Sequence, residues 1–332
     1  MENIDLNRIE EILDRFIERK VLVLGDLMLD EFIFTEVDRI SPEAPVPVAK
    51  VLSKDHRLGG ASNVSANIVS LGGKSGLCGV VGDDGYGRMF SDKAKELKID
   101  TSSIYTDKTR PTTVKTRIIA QNQQIARIDT EDAKYIDRNC SDEILNILKA
   151  RISDYEGLII SDYSKGMLEK EFIVRVISLF RDNGRIIAVD PKTNDLELYH
   201  GVDYIKPNKK ETAYLTGIEI KDEHTLLQAG EYLENRLATQ AVLITLGAEG
   251  ICVFKKGRHF KVPTLAKKVY DVTGAGDTTI AAFMMAMGSG ANLREATFIA
   301  NIAAGNVVGE VGTACTDVIN IRKHAREILE EL

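Results

Sequence analysis

A glycine-rich turn at residues 271–277, Asp-Val-Thr-Gly-Ala-Gly-Asp, runs directly into a long stretch of small and apolar residues. Gly274 and Gly276 let the backbone turn tightly and present N–H groups that no Cβ atom obstructs. The apolar stretch predicts a buried helix, whose unpaired N-terminal amides and positive dipole end attract anions. Asp277 stands at that end, where its carboxylate can take a proton from a hydroxyl group facing the same anion.

Backbone donors beside a base suit phosphoryl transfer, since that reaction depends mainly on positioning and on stabilising charge. We therefore predict that Asp277 is a catalytic base and that Gly274, Ala275 and Gly276 form an anion hole. A glycine turn in which an Asp stabilises the start of a helix would show the same residues. This motif alone leaves both interpretations open.

A second glycine-bearing segment, residues 58–74, predicts a helix with apolar residues along one face. Gly59, Gly60 and Asn63 stand at its start, where amide groups can bond the hydroxyls of a sugar. Together the two segments resemble the two signature regions of the PfkB/ribokinase family of small-molecule kinases. The resemblance covers nearly the whole chain and implies ATP and Mg²⁺ as cofactors.

The resemblance also implies an α/β fold, a ribokinase-like three-layer sandwich with a mostly parallel, doubly wound sheet and a small β-sheet lid. The residues support this independently, because continuous apolar runs typical of buried parallel strands alternate with helical patterns. Ligands of such sheets bind beyond the carboxyl ends of the strands. The runs are residues 21–24, 77–81, 157–160, 185–189, 202–205 and 241–245.

Bulk properties exclude several classes of protein. The 332 residues can bury a large core, and we predict one kinase domain over residues 1–332. The net charge of −7 argues against a nucleic-acid binder, which would carry a basic face. Four cysteines without CxxC spacing predict reduced thiols in apolar surroundings. No signal peptide or membrane-length apolar run is present, so we expect a cytoplasmic protein that binds neither membrane nor nucleic acid.

Two extended stretches, about residues 31–54 and 110–130, interrupt the α/β rhythm and predict strands of one small sheet. In proteins of the family such a sheet covers the sugar as a lid and often pairs with a second subunit, which implies a homodimer. Ordinary edge hairpins are the alternative.

The resemblance assigns roles to further residues of the cleft. Asp30 matches the sugar-binding Asp, whose charged oxygens accept hydroxyl hydrogen bonds strongly; a surface Asp at a turn is the alternative. A Lys at a strand end can neutralise a phosphate or the charge of a transition state, although a solvated loop Lys looks the same. The substrate-binding candidates are Asp30, Gly59, Gly60, Asn63, Arg110, Lys115, Arg117, Arg127, Asp162, Lys165 and Lys192.

Residues 206–211, Lys-Pro-Asn-Lys-Lys-Glu, resemble the family's N-x-x-E motif, in which Glu211 orders Mg²⁺-bound water. Asn208 and Glu211 also fit an ordinary N-cap and N3 pair, and both roles can hold at once. The ATP-binding candidates are Asn208, Lys209, Lys210, Glu211, Thr245, Gly247, Gly250 and Asn306. Positions that bind a monovalent cation such as K⁺ in ribokinase-like enzymes match Asp271, Thr273, Gly312 and Thr316.

Four blocks are similar to heptose-7-phosphate kinases, which phosphorylate the anomeric hydroxyl of D-glycero-D-manno-heptose 7-phosphate on the way to ADP-heptose for lipopolysaccharide or surface polysaccharide. The blocks are residues 39–48, 111–117, 123–129 and 161–166. The second, nucleotidyltransferase domain of many relatives carries an HxGH motif. This chain has none, so we expect a separate protein to perform that step.

Two alternatives remain: a PfkB-type kinase of ribose, fructose or a hexose phosphate, and a non-catalytic module that senses a sugar or nucleotide. Other nucleotide motifs fail. A Walker A match ending at residues 73–75 has Ile68 where the first glycine belongs, and no G-x-G-x-x-G follows the first predicted strand.

Overall fold

Within residues 4–121, 123–265, 272–309 and 314–330, which the computed structural model describes, ten α-helices surround a nine-stranded sheet and a four-stranded sheet. The helices are α1 (Leu6–Asp14), α2 (Ala61–Ser70), α3 (Gly85–Glu96), α4 (Arg138–Arg151), α5 (Lys170–Asp182), α6 (Lys209–Thr216), α7 (Glu223–Leu237), α8 (Ala275–Gly288), α9 (Leu293–Val307) and α10 (Val318–Glu330). The strands are β1 (Lys20–Gly25), β2 (Leu27–Ile40), β3 (Pro47–Gly60), β4 (Lys74–Gly82), β5 (Asp100–Asp107), β6 (Thr113–Ala120), β7 (Gln123–Thr130), β8 (Gly157–Ser161), β9 (Ile186–Asp190), β10 (Tyr204–Ile205), β11 (Ala241–Thr245), β12 (Ile251–Lys255) and β13 (Arg258–Val262).

The large sheet has the order β13-β12-β11-β10-β9-β8-β1-β4-β5. Its neighbours pair in parallel except at β12 and β13, which are antiparallel. Alternate side chains of β1 enter different cores: Val21 and Val23 pack with α8 and α9, whereas Leu22 and Leu24 pack with α4 and α5. Helices therefore cover both faces, and the predicted three-layer, mostly parallel α/β fold is confirmed.

All six predicted runs contribute strands, although residues 185, 202 and 203 lie outside β9 and β10. Val202 lies outside β10 because its N–H bonds to Tyr199 O and closes a turn. Ile17, which continues the apolar spacing of α1, is exposed because the chain tightens into a 3₁₀ turn at Arg15–Glu18. Among the cysteines, Cys315 is exposed whereas the other three are buried, which corrects the expectation of apolar surroundings for all four.

The small sheet, with the order β3-β2-β6-β7, lies at the stretches where extra strands were predicted. We call it the lid sheet. A single residue, Asp26, separates β1 from β2, and β3 ends at Gly60, immediately before α2. The register pairs Asp30 with Arg57 and with Lys115, so these three side chains share one face. No helix in the described ranges is long and apolar enough to span a membrane.

Candidate functional site

Asp277 lies in the first turn of α8, and its carboxylate is buried between two other elements. Asn63 of α2 donates its side-chain N–H to Asp277 Oδ2 at 2.7 Å. Tyr163, in the loop after β8, donates its hydroxyl to Asp277 Oδ1 at 2.9 Å. Burial raises the pKa of Asp277, the donors Asn63 and Tyr163 oppose the rise, and the like charge of Asp30 adds to it. Because the pKa of Asp277 is raised, its carboxylate accepts a proton more readily than that of an exposed Asp.

The predicted anion hole coincides with the start of α8. Gly274 is the N-cap and has φ +82°, a left-handed conformation that favours glycine. Gly274, Ala275 and Gly276 are half-buried, so solvent and ligands can reach their backbone beside the buried Asp277. The predicted helix behind them is confirmed, since residues 277–286 are buried on all sides. The N-terminal amides of such a helix lack intrahelical partners, and the Ala275 N–H donates to Val272 O at 3.3 Å.

A second hydrogen bond fixes α8 against α2. Thr278 Oγ1 donates to Asn67 Oδ1 at 2.8 Å, one helical turn beyond the bond between Asn63 and Asp277. Gly60 immediately precedes α2 with φ +57°, and a Cβ there would lie 2.5 Å from Asp26 O. The two glycine-bearing segments are therefore brought together at one end of the large sheet.

Asp30, predicted to bind the sugar, lies buried at the base of β2 against Gly59. A Cβ at Gly59 would lie 2.4 Å from Asp30 Oδ2, so only glycine leaves that oxygen its present position. Arg117 Nη1 donates to Asp30 Oδ1 at 2.5 Å. Its guanidinium also lies over the ring of Phe32, and that of Arg57 does the same. Arg57 is a cation of this face that the sequence interpretation did not select.

The other cations selected from this part of the sequence, Lys115, Arg127 and Arg110, are paired with carboxylates. Lys115 Nζ lies 3.3 Å from Asp129 Oδ2, and Arg127 Nε lies 2.9 Å from Asp129 Oδ1. Arg110 Nε lies 2.9 Å from Asp107 Oδ2, at the end of β5 and outside the lid sheet. A phosphate that enters this face would therefore have to share these cations with the acids that already hold them.

The loop after β8 is fixed by Asp26, the buried residue between β1 and β2. Its carboxylate accepts the backbone N–H groups of Tyr163 at 2.9 Å, Lys165 at 3.1 Å and Met167 at 3.0 Å. Burial raises the pKa of Asp26, and these three donors counteract part of the rise. Neither Asp26 nor Tyr163 was assigned a role from sequence, since no local spacing links them to Asp277.

Three candidates after β8 and β9 have protein partners. Asp162 accepts the hydroxyl of Tyr199 at 2.5 Å and the N–H groups of Ser164 and Thr193. Lys165 Nζ donates to Glu131 Oε1 at 2.6 Å, which ties this loop to the end of the lid sheet. Lys192 is exposed to a large extent, and its Nζ lies 3.4 Å from Glu211 Oε1.

A buried ion pair lies next to Gly276, in the predicted anion hole. Lys206 Nζ lies 3.0 Å from Asp190 Oδ1, and a Cβ at Gly276 would lie 3.3 Å from the same Nζ. Burial raises the pKa of Asp190 to about 7, against the attraction of Lys206. Although burial disfavours the charge of Lys206, Asp190 and Glu211 raise its pKa. The charged form of Lys206 is therefore favoured beside Gly276, and the sequence alone assigned Lys206 no role.

Asn208 and Glu211 form the capping box of α6. Glu211 N–H donates to Asn208 Oδ1 and Asn208 N–H donates to Glu211 Oε2, each at 2.9 Å. The structural interpretation of this pair is confirmed, and Glu211 Oε1 faces Lys192. Lys209 is paired with Glu249 and Lys210 is exposed.

The candidates Thr245, Gly247 and Gly250 lie in a strand–turn–strand formed by β11 and β12. Thr245 ends β11 beside Asn208 in an isolated bridge, and the exposed Gly247 has φ +62°. Gly250 has φ +95°, and a Cβ there would lie 2.0 Å from Val262 O, so no other residue fits.

The remaining candidates lie near the chain's end. Asn306 donates to Thr316 Oγ1 at 3.0 Å and contacts the ring of His324, which ties α9 to α10. Thr316 O accepts the hydroxyl of Ser70 at 2.8 Å. Thr273 lies just before the N-cap of α8, whereas Asp271 and Gly312 lie outside the described residues.

The profile of the pfkB family carbohydrate kinases matches residues 18–318. The chain belongs to this family. Among curated relatives, a protein of a Nitratiruptor species is 44% identical over 309 residues, which are 93% of this chain and 65% of the relative. A protein of Helicobacter hepaticus is 43% identical over 295 residues, which are 89% of this chain and 61% of the relative. Both are named Bifunctional protein HldE. The chain thus spans less than two thirds of their length.

Solved structures share the fold. Arabidopsis thaliana ribokinase, complexed with ribose and ATP, superposes with a TM-score of 0.74 at 20% identity, over 92% of this chain and 98% of that one. Escherichia coli phosphofructokinase-2, in its tetrameric inhibited form, gives a TM-score of 0.75 at 18% identity, over 92% and 98%. These similarities confirm the ribokinase-like architecture.

Proposed function

We propose that this chain is an ATP-dependent kinase that phosphorylates the anomeric O1 of D-glycero-D-manno-heptose 7-phosphate and forms the 1,7-bisphosphate. The observation that carries the kinase proposal is the buried Asp277 carboxylate beside the accessible first turn of α8. The choice of sugar is supported by the four sequence blocks similar to heptose-7-phosphate kinases. It is also supported by the identity of 44% and 43% to the two relatives named Bifunctional protein HldE.

In the proposed reaction Asp30, Asn63 and the amides of Gly59 and Gly60 hold the sugar hydroxyls. Asp277 accepts the O1 proton while O1 forms a bond to the γ-phosphorus of ATP and the bond to the β,γ-bridging oxygen breaks. The amides of residues 274–276 and the charge of Lys206 stabilise the equatorial oxygens of the transferred group. A base that is buried and hydrogen-bonded loses little of its orientation during this step.

The sugar phosphate is proposed to bind at the lid face that carries Arg117, Lys115 and Arg127. Arg117 is the strongest candidate because its guanidinium already contacts Asp30, the residue proposed to hold the sugar. A planar guanidinium can bond a phosphate through two N–H groups while it keeps its contact with Asp30.

Nucleotide binding is proposed along residues 208–211, 245–250 and Asn306. Glu211 would hold Mg²⁺ through water, which agrees with an ion that keeps several waters and takes few protein ligands. In the described ranges no cluster of three or more His, Cys, Asp or Glu could hold a metal ion directly. Mg²⁺ supplies charge neutralisation on the nucleotide phosphates when it is bound. The proposed K⁺ dependence is tested by comparing turnover in K⁺ and Na⁺ salts.

The deciding experiment is a coupled ADP-release assay with heptose 7-phosphate beside ribose, fructose and hexose phosphates. We expect the highest kcat/KM for heptose 7-phosphate, with phosphate transferred to O1. Preference for another sugar would retain the kinase and reject the heptose. No turnover on any sugar would favour a sensing module.

We also propose a homodimer formed through the lid sheet. Several exposed apolar side chains lie on its strands, among them Val51, Leu52 and Ile128. Association of two subunits would bury exposed apolar side chains of this kind. Light scattering after gel filtration should give twice the monomer mass for the wild type. The Leu52→Lys variant should give the mass of a single monomer. A monomeric wild-type protein would refute this contact.

A further inference from the structure

We propose that Tyr163 is a positioning residue for Asp277: its hydroxyl fixes the carboxylate so that a free lone pair faces the acceptor hydroxyl. The proposal rests on the proposed role of Asp277 as the base. Tyr163 itself transfers no proton and contacts no reacting atom.

The geometry of the carboxylate carries the argument. Oδ1 accepts the Tyr163 hydroxyl at 2.9 Å and Oδ2 accepts the Asn63 amide at 2.7 Å. Two anchors, one on each oxygen, define the carboxylate plane and prevent rotation about χ2. A carboxylate has about four lone-pair positions, so each oxygen keeps one for a substrate. Donors on both oxygens also favour the ionised form, which is the form that can act as a base.

Tyr163 is well placed for this task because its own backbone is held. Its N–H donates to the buried Asp26, which also accepts the N–H groups of Lys165 and Met167. Ser164 adopts a left-handed φ of +54°, which lets the loop wrap around this carboxylate. Asp26 directly follows β1, so the strand end positions the loop and the loop positions the base.

The charges around Asp277 set the direction of the expected effect. Lys206 attracts the ionised carboxylate, whereas Asp30 repels it, and Asp190 lies within electrostatic reach of Asp277. Burial raises the pKa of Asp277 and Tyr163 counteracts the rise. Removing the Tyr163 hydroxyl should therefore raise the pKa of the base further. Turnover that needs the ionised base would then begin at a higher pH.

The kinetic test compares Tyr163→Phe with Tyr155→Phe. Tyr155 is a buried tyrosine in the core of α4 and α5, and its hydroxyl has no hydrogen-bond partner among the described residues. For Tyr163→Phe we expect kcat at pH 7 to fall roughly ten- to a hundredfold, because the variant loses one hydrogen bond to a charged group. The acid limb of the pH profile should move to higher pH, with the KM for ATP unchanged. Tyr155→Phe should match the wild type.

A merely structural Tyr163 would lower the melting temperature and leave the pH profile in place. An acid limb of Tyr163→Phe that coincides with that of the wild type therefore overturns the proposal, even if kcat falls.

A second measurement is independent of turnover. With ¹³C at Cζ of the ten tyrosines, the Tyr163 resonance, assigned from its loss in Tyr163→Phe, should shift as Asp277 titrates. The shift should vanish in Asp277→Asn, and a resonance indifferent to that substitution overturns the proposal. A further outcome is that the Tyr163 resonance follows the titration of Asp277 while no sugar is phosphorylated. In that case the proposed function fails, whereas the contact between Tyr163 and Asp277 is supported.

Discussion

Asn63 donates a 2.7 Å hydrogen bond to Asp277, although 214 residues separate them in the chain. The bond joins the start of α2, which follows the lid sheet, to the start of α8, where the anion hole is predicted. Asn67 and Thr278 repeat the connection one turn further on. The sugar side and the nucleotide side of the proposed site are thus held in register by two amide contacts between buried helices.

Asp277→Asn should lower kcat by roughly 10²–10⁴-fold, because an amide cannot accept the proton of O1. ATP affinity should be retained, since the backbone amides of residues 274–276 are unchanged. Steady-state kinetics and calorimetric titration with ATP measure the two effects. Asp182→Asn, at the exposed end of α5, is the matched control. Near-normal turnover of Asp277→Asn would remove this residue from the role of base.

Gly59→Ala should raise the KM for the sugar roughly tenfold or more. A change of this size corresponds to the loss of one hydrogen bond to a charged group. The added Cβ would lie 2.4 Å from Asp30 Oδ2, so the carboxylate must move. The KM for ATP should stay constant. Gly85→Ala serves as the control, because a Cβ at that position meets no atom within 4 Å. Equal sugar KM values for the two variants would argue against Asp30 as a sugar ligand.

Arg117→Gln separates recognition of the phosphate from recognition of the sugar. We expect the KM for heptose 7-phosphate to rise about tenfold to a hundredfold, since a charge-assisted contact is lost. The KM for unphosphorylated heptose should change much less. Arg138→Gln, an exposed substitution on α4, provides the control. A similar rise for both sugars would mean that Arg117 acts only through Asp30.

Asp100→Asn should weaken the fold in a pH-dependent manner. Partial burial opposes the shift, but hydrogen bonds from Ser102 and Arg151 lower the pKa of Asp100 from 3.8 to about 2. A lowered carboxyl pKa stabilises the fold above the unfolded value, and this contribution is lost as pH falls from 3.8 toward 2. The variant should therefore melt below the wild type at pH 7, with a difference that shrinks in that acidic window. A difference independent of pH would contradict this ionic origin.

Local patterns predicted the strands that end at the site, because burial on both faces requires continuous apolar runs. Val21–Leu24 and Ala241–Thr245 are clear examples, and both lie within observed strands. The capping box of Asn208 and Glu211 was equally predictable, since its partners lie three residues apart. The exposure of Ile17 was not predictable, because the change from α-helix to a 3₁₀ turn leaves no mark in the apolar spacing.

The sequence by itself determined the family, the parallel α/β architecture and the glycine turn before α8, because each depends on neighbouring residues. Only the tertiary structure decided which donors meet the Asp277 carboxylate. Tyr163 reaches it from 114 residues away, and its backbone N–H in turn reaches Asp26 across 137 residues. Such contacts depend on how strand ends and helix starts converge in space. They cannot be predicted from the spacing of residues along the chain.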